Sequence, residues 1–230
     1  MAYDNILLDA DMTLLDFDSA EHEALCRVLQ ARGLPTDKET TDAYVRINWA
    51  LWSAYNRGEI SQDEIAATRF AQLFHLLGFS GDALACNRDY QLALADCGQL
   101  LPGALDFCRQ LYHAGKTLAI ATNGMPLSQW GRFRKSGLQP YIQRMYVSGE
   151  IGCQKPQKAF FAHIFRDLPV PDLARCAIFG DGLGSDIQGG RNAGIATVWY
   201  NPNHWPGDPE ITPDFEAHSY DAALAFLLRE

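Results

Sequence analysis

Residues 5–13 read Asn5-Ile6-Leu7-Leu8-Asp9-Ala10-Asp11-Met12-Thr13, an apolar run that ends in two aspartates one residue apart. A short apolar run bounded by polar residues reads as a buried strand, here Ile6 to Asp9. Three further signals follow in chain order. Ile120-Ala121-Thr122-Asn123-Gly124 ends a second apolar run, Lys155-Pro156 follows a third, and Ile178-Phe179-Gly180-Asp181 ends a fourth, with Asp186 in the helix-like stretch beyond it. The segments between these runs have helical spacing. Alternating strands and helices predict an α/β fold, a doubly wound parallel sheet of Rossmann-like form with right-handed crossovers. In such a sheet the carboxyl ends of the strands border one crevice. Asp9, Asp11, Thr122, Asn123, Lys155, Asp181 and Asp186 are therefore expected to meet there.

The stretch 18–98 interrupts this pattern with no convincing strand. Capping-box spacing at Thr36-x-x-Glu39 and Ser61-x-x-Glu64 predicts helix starts. Ala66, Phe70, Leu73, Phe74 and Leu77 fall at helical spacing, and Gly78 follows as a stop, so about four helices are expected. Alternation resumes at Leu101-Pro102-Gly103. Helices are predicted over 103–114, 127–136, 157–167 and 185–193, and strands over 117–121, 145–147, 177–179 and 196–200. The proline-rich stretch 201–213 reads as a loop, and 214–230 as a short strand and a closing helix. The first strand thus belongs with the second half of the chain. The expected domains are an α/β core of residues 1–17 and 99–230 and a helical insertion of residues 18–98.

Composition narrows the function. The 230 residues are 47% apolar and 20% charged, ordinary for a globular protein. Twenty-eight acidic against 19 basic residues leave a net charge of −9. That argues against a nucleic-acid polymer as partner, which needs clustered Lys and Arg. It leaves room for a small phosphorylated ligand, because a local positive site can sit in a negative field. No apolar run approaches the roughly 20 residues of a membrane helix, and no targeting segment follows Met-Ala-Tyr-Asp, so no membrane partner is expected. The six cysteines are scattered without a CxxC pair, which predicts a reduced, cytoplasmic protein without disulfides. No HxxxH or HExxH spacing points to a histidine zinc site.

Each motif has a chemical and a plain reading. Of Asp9 and Asp11, one carboxylate can attack phosphorus and the other can give a proton to a departing alkoxide; the plain reading is a solvated turn after a strand. Thr13 would orient that turn. The Thr122 hydroxyl and the N–H groups near Asn123 can hold a phosphoryl group, or the segment is an Asn-Gly turn. Proline after Lys155 favours an extended backbone there, which fixes a cation between nucleophile and phosphate or leaves a surface lysine. Lys158 reads as an exposed first-turn residue. Asp181 and Asp186 offer the hard oxygen ligands that suit Mg²⁺. Asp186 can ligate directly, support a ligand, or cap the following helix. Trp52 and Tyr55, three apart on one helix, can stack on a base or pack the insertion's core. Four signals in order, each at a strand end of one sheet, favour the chemical readings taken together.

Asp9-Ala10-Asp11-Met12-Thr13, Thr122-Asn123-Gly124, Lys155-Pro156 and Gly180-Asp181 with Asp186 resemble the four motifs of the haloacid dehalogenase superfamily. The helical insertion resembles the first type of cap in that superfamily. The resemblance implies Asp9 as nucleophile, Asp11 as general acid/base, and Thr122, Asn123 and Lys155 on the phosphate. It implies Mg²⁺, with Mn²⁺ as a substitute, on Asp9, Asp11 through its backbone carbonyl, and Asp181, with Asp186 in support. Asp11 sets the chain apart from the dehalogenases, which lack that acid, and the Asp-Lys-Thr-Gly-Thr of the ATPase branch is absent. Asn48-x-x-Leu51-Trp52-x-x-Tyr55-x-x-Gly58, Arg69-Phe70, Leu101-Pro102-Gly103-Ala104 and Ser185-Asp186-Ile187-x-Gly189-Gly190 are similar to bacterial pyrimidine 5′-nucleotidases that act on dUMP and related monophosphates. That closer resemblance implies a small phosphomonoester as substrate, with Asn48, Trp52 and Tyr55 of the cap reading it. A sugar-phosphate phosphatase or phosphomutase of the same superfamily is the alternative enzyme. A phospho-accepting signalling module is the non-enzymatic one.

Overall fold

The computed structural model describes residues 3–168 and 172–229. The chain divides into two compact units. One comprises the chain up to Asp16, Gln99–Pro126 and the chain from Ser136; the other comprises Phe17–Gly98 with Leu127–Lys135.

The first unit is built on six parallel strands: β1 Asn5–Leu8, β2 Thr117–Thr122, β3 Arg144–Val147, β4 Cys176–Gly180, β5 Ala196–Tyr200 and β6 Phe215–Ala217. Their order across the sheet is β3-β2-β1-β4-β5-β6. The chain therefore fills one side of β1 first, then returns to fill the other. The order reverses between β1 and β4, the switch point at which α/β sheets open a crevice. All four residues of β1 are buried. A strand covered on both faces needs a continuous apolar run rather than alternation, which is how Ile6-Leu7-Leu8 reads. In register, Leu8 lies beside Ile120 of β2 and Phe179 of β4. Asp9 and Asp181, each one residue past its strand, thus leave the sheet side by side.

Each face of the sheet has its own core. Leu7, Ala119, Ala121 and Ile178 pack with Phe160, Phe161 and Ile164. On the other face Phe107 meets Phe179 and Tyr220 with ring centroids 4.9 and 5.0 Å apart, and Tyr220 stacks on Tyr200 at 4.9 Å. Burying one such side chain is worth roughly 1.5–3 kcal/mol.

The helices in chain order are α1 Phe17–Gln30, α2 Lys38–Asn56, α3 Gln62–Leu76, α4 Ala83–Ala95, α5 Ala104–His113, α6 Pro126–Ser136, α7 Ser148–Ile151, α8 Lys158–Asp167, α9 Gln188–Ala193 and α10 Tyr220–Leu227. The first four form the helical unit around Leu25, Tyr44, Phe70, Leu73 and Tyr90. The capping box at Ser61 and Glu64 is present. The start expected at Thr36 is corrected: Asp37 is the N-cap of α2, and its carboxylate accepts the Thr40 N–H at 2.9 Å. Aspartate ranks above threonine as a cap, so the stronger acceptor one residue later takes the position.

Residues 127–135 of α6 cluster with the helical unit, although the sequence pattern grouped them with the core. The cause is local. A Cβ at Gly131 would collide with Ala95, so glycine lets the α6 backbone lie against the end of α4. Arg132 Nε then donates to the Cys97 carbonyl at 3.3 Å, and Lys135 Nζ to Asp96 Oδ1 at 3.0 Å. Among the described residues no helix is long and apolar enough to cross a membrane.

Candidate active site

The site is assembled where β1, β2 and β4 end. The Asp9 N–H donates to the Phe179 carbonyl at 2.9 Å, so the sheet ladder holds the residue even past the strand. The chain then folds back on itself. Leu14 and Leu15 both donate to the Ala10 carbonyl, at 2.9 and 2.8 Å, and Met12 donates to the Leu15 carbonyl at 3.0 Å. Met12 takes a φ of 56°, a left-handed conformation that a side chain seldom adopts. Asp11 sits half-buried inside this turn, beside Leu15.

Lys155 stands opposite, 1% exposed. Its ammonium donates to Asp9 Oδ1 at 2.5 Å, to Asp186 Oδ1 at 2.6 Å and to the Ala121 carbonyl at 2.6 Å. An ammonium has three protons, and all three are used. Asn123 explains how the lysine is held. Its side-chain oxygen accepts the Lys155 N–H at 2.9 Å and its side-chain nitrogen donates to the Lys155 carbonyl at 3.0 Å. The amide expected on a phosphate is thus engaged on the lysine's backbone. Thr122, 1% exposed, accepts the Gly124 N–H at 3.0 Å and so shapes the same turn. Lys158 is exposed, in the first turn of α8.

Asp186 is not a helix cap. It lies in a π-type turn, Leu183–Ile187, that precedes α9, and it is 1% exposed. Its Oδ1 accepts from Lys155 and its Oδ2 accepts the Gly182 N–H at 3.0 Å. A Cβ on Gly180 would collide with this carboxylate. The glycine that ends β4 therefore exists to let Asp186 fold back over the strand. Asp181 accepts from the Thr13 hydroxyl through Oδ1 at 3.0 Å, while its own N–H donates to the same Thr13 oxygen at 3.0 Å.

Carboxylate oxygens of Asp9, Asp181 and Asp186 lie within 4.8 Å of one another. Burial lifts the Asp9 carboxyl well above its ordinary range, and Asp186 adds to the rise against the pull of Lys155. Asp181 is pushed up to about 7, first by removal from water and then by Asp186. Burial alone would favour neutral Lys155, yet Asp186 and Asp9 outweigh it and hold the ammonium above the ordinary lysine range. Fully ionised, the three carboxylates outnumber the one ammonium. The donors are all hard oxygens, so the residues present fit a hard divalent cation such as Mg²⁺.

The cap residues belong to the helical unit. Asn48 is 3% exposed; it donates to Glu21 Oε1 at 2.7 Å and accepts from Arg69 at 3.3 Å. The structure thus puts Asn48 in a buried network rather than presenting it to a ligand. The Trp52 and Tyr55 rings meet edge to face at 5.4 Å, with Tyr55 buried and Trp52 half-buried. Two residues that sequence reasoning did not single out touch the site's frame. The Trp199 indole N–H donates to the Asp181 carbonyl at 2.9 Å, and the Tyr220 hydroxyl donates to the Thr13 carbonyl at 2.8 Å. The signal available was a polar-tipped aromatic in an otherwise apolar segment, since such tips need a partner when buried.

Comparison with known proteins identifies the family. The haloacid dehalogenase-like hydrolase family matches residues 3–194. Pyrimidine 5′-nucleotidase PynA of Streptococcus pneumoniae is 39% identical over 99% of this chain and 96% of its own length. Pyrimidine 5′-nucleotidase YjjG of Escherichia coli is 32% identical over 95% of each. The crystal structure of the HAD-hydrolase YfnB of Bacillus subtilis, solved bound to magnesium, superposes with a TM-score of 0.93 at 35% identity, covering 99% of each chain. A parallel sheet that carries an aspartate-lysine-aspartate cluster at its switch point, matched over most of its length, makes this chain a member of the haloacid dehalogenase-like hydrolase family.

Proposed function

We propose that this hydrolase is a Mg²⁺-dependent phosphomonoesterase that releases phosphate from pyrimidine nucleoside 5′-monophosphates in the cytoplasm. The observation that carries the chemistry is Lys155, buried and shared by Asp9 and Asp186. A cation built into the base of the site lowers the repulsion between an anionic nucleophile and an anionic phosphate. The substrate class rests on the similarity to PynA and YjjG along nearly the whole chain.

In this reading Asp9 attacks phosphorus. A bond forms from its carboxylate oxygen to phosphorus as the bond to the ribose oxygen breaks. Asp11 gives its proton to that departing oxygen, without which an alkoxide is a poor leaving group. Asp11 then takes a proton from water, whose oxygen attacks the same phosphorus. The bond to Asp9 breaks, and inorganic phosphate and free Asp9 result. Thr122 and the turn at Asn123 flank the phosphate, and Asn123 fixes Lys155 from behind. Asp9, the Asp11 carbonyl and Asp181 are the groups that would hold Mg²⁺, while Asp186 keeps Lys155 and the Gly182 turn in place. When bound, the metal supplies positive charge that offsets the charge on the phosphate. Mn²⁺ offers the same oxygen chemistry.

A phosphate-release screen over nucleoside monophosphates and sugar phosphates, with and without Mg²⁺, tests this reading. Pyrimidine monophosphates such as UMP and dUMP are expected to lead, and chelation to stop the reaction. Sugar phosphates hydrolysed far faster would remove the nucleotidase reading, and full activity in excess EDTA would remove the mechanism.

A further inference from the structure

The sheet ladder between β4 and β5 pairs Gly180 with Trp199 and goes no further. Asp181 is the next residue, so its backbone N–H and C=O leave the sheet with no ladder partner. Backbone polar groups at such a position must be satisfied elsewhere. Here two other parts of the unit supply the partners. Thr13, wholly buried in the turn after β1, takes the Asp181 N–H and gives its own hydroxyl proton to Oδ1. Trp199, 5% exposed, gives its indole proton to the Asp181 carbonyl at 2.9 Å. Asp181 is thereby bound at its N–H, its C=O and one carboxylate oxygen. Among the described residues no hydrogen bond engages Oδ2, and a carboxylate oxygen of Asp181 lies within 4.8 Å of those of Asp9 and Asp186.

Thr13 is itself held from a third direction. Its carbonyl accepts the Tyr220 hydroxyl at 2.8 Å. Tyr220 is the first residue of α10, and the Ser219 side chain caps that helix by accepting the Ala222 N–H. The tyrosine ring is confined by Tyr200 and Phe107. A Cβ on Gly103 would approach the ring to 3.2 Å, so glycine makes room for it. A chain of hydrogen bonds therefore runs from α10 through Tyr220 and Thr13 to Asp181, and closes through Trp199 on β5.

We infer that Trp199 and Tyr220 are positioning residues that aim the free oxygen of Asp181 at the divalent cation, and so set the cation's affinity. The inference rests on Asp181 being a metal ligand, as proposed above. Groups one bond behind a ligand fix its orientation, and their loss commonly weakens metal binding by about 10- to 100-fold. Trp199→Phe and Tyr220→Phe keep an aromatic ring and delete one proton donor each. Phe107→Leu disturbs the aromatic cluster around Tyr220 and deletes no donor, so it reports the packing of that cluster.

The test is Mg²⁺ binding by calorimetry to the metal-free whole chain without substrate, with thermal unfolding measured in parallel. Trp199→Phe is expected to weaken binding by about 10-fold or more. Tyr220→Phe, one step further away, is expected to weaken it by a smaller factor. In both, raising Mg²⁺ should restore turnover. Phe107→Leu should lower Tm and bind Mg²⁺ as the natural chain does. Equal weakening in Phe107→Leu would overturn the inference by assigning the effect to packing. Unchanged affinity in both donor variants, with Asp181→Asn defective, would overturn the inference alone. Unchanged affinity in Asp181→Asn would overturn it together with the reading it rests on.

Discussion

Lys155 in the α/β unit and Arg69 in the helical unit are each 1% exposed, yet they meet different partners. The Lys155 ammonium is spent on two carboxylates and a carbonyl. The Arg69 guanidinium lies over the Tyr90 ring at 4.7 Å and donates to Asn87 at 2.7 and 2.5 Å and to Asn48 at 3.3 Å. Asn48 lies on α2, Arg69 on α3 and Asn87 on α4. A planar fork with five donors ties three helices together, which a point charge cannot do. A compact ammonium instead concentrates charge between carboxylates. One buried cation holds a scaffold; the other balances the anions of the candidate site.

Breaking that contrast at its strongest point means removing the carboxylate that Lys155 serves. Asp9→Asn keeps the shape of the side chain and deletes the proposed nucleophile. Turnover should fall by more than about 10⁴-fold with Tm nearly unchanged. Retention of more than a few per cent of the natural rate would contradict the role of Asp9. Lys155→Met comes next. It leaves Asp9 and Asp186 facing each other without a counter-ion, so loss of activity should be accompanied by about 3–5 kcal/mol of lost stability. Arg69→Met should cost about 1–3 kcal/mol through the hydrogen bonds that Asn87 and Asn48 lose. Denaturant unfolding of both variants measures the difference, and equal losses would erase the comparison.

The helical unit also offers the aromatics proposed to read a base. Trp52→Ala or Tyr55→Ala should lower kcat/KM for UMP and dUMP by about 5- to 150-fold, the worth of one stacking contact, and p-nitrophenyl phosphate hydrolysis by much less. An equal drop for both substrates would make the pair a packing element, consistent with the edge-to-face contact between the two rings.

The smallest expected effect has the opposite sign. With Asp181 pushed up to about 7, the folded metal-free chain holds its proton to higher pH than the unfolded chain does. Stability without metal should therefore fall as pH rises from the ordinary carboxylate range to about 7. Asp181→Asn removes that charge and should raise the metal-free Tm at pH 8 by roughly 2–4 °C while lowering activity. A lower Tm in this variant would mean that the Thr13 bond outweighs the cost of the buried charge.

The parts of the molecule readable from sequence are those in which a local pattern coincides with a strand end. Ile6-Leu7-Leu8 can be little other than a buried strand, and once the sheet is parallel, Asp9, Asp181 and Lys155 have one crevice to share. The clamp of Asn123 on Lys155 was not legible, because it joins residues 32 apart through a loop whose path the local pattern does not define. The start of α2 shifted by one residue because two good caps, Thr36 and Asp37, stand side by side. Asp186 read as a possible cap because a π-type turn has no sequence signature distinct from a helix start. The side to which α6 belongs was decided by the close approach at Gly131, which is a tertiary event.

The central claim is that phosphate passes through a covalent bond to Asp9. The direct measurement is to quench a single turnover with borohydride, which reduces an acyl phosphate to an alcohol, and to map the peptides by mass spectrometry. The account predicts conversion of Asp9 to homoserine with UMP and Mg²⁺ present, and no conversion when either is omitted. Complete phosphate release with Asp9 unreduced throughout the turnover would contradict it.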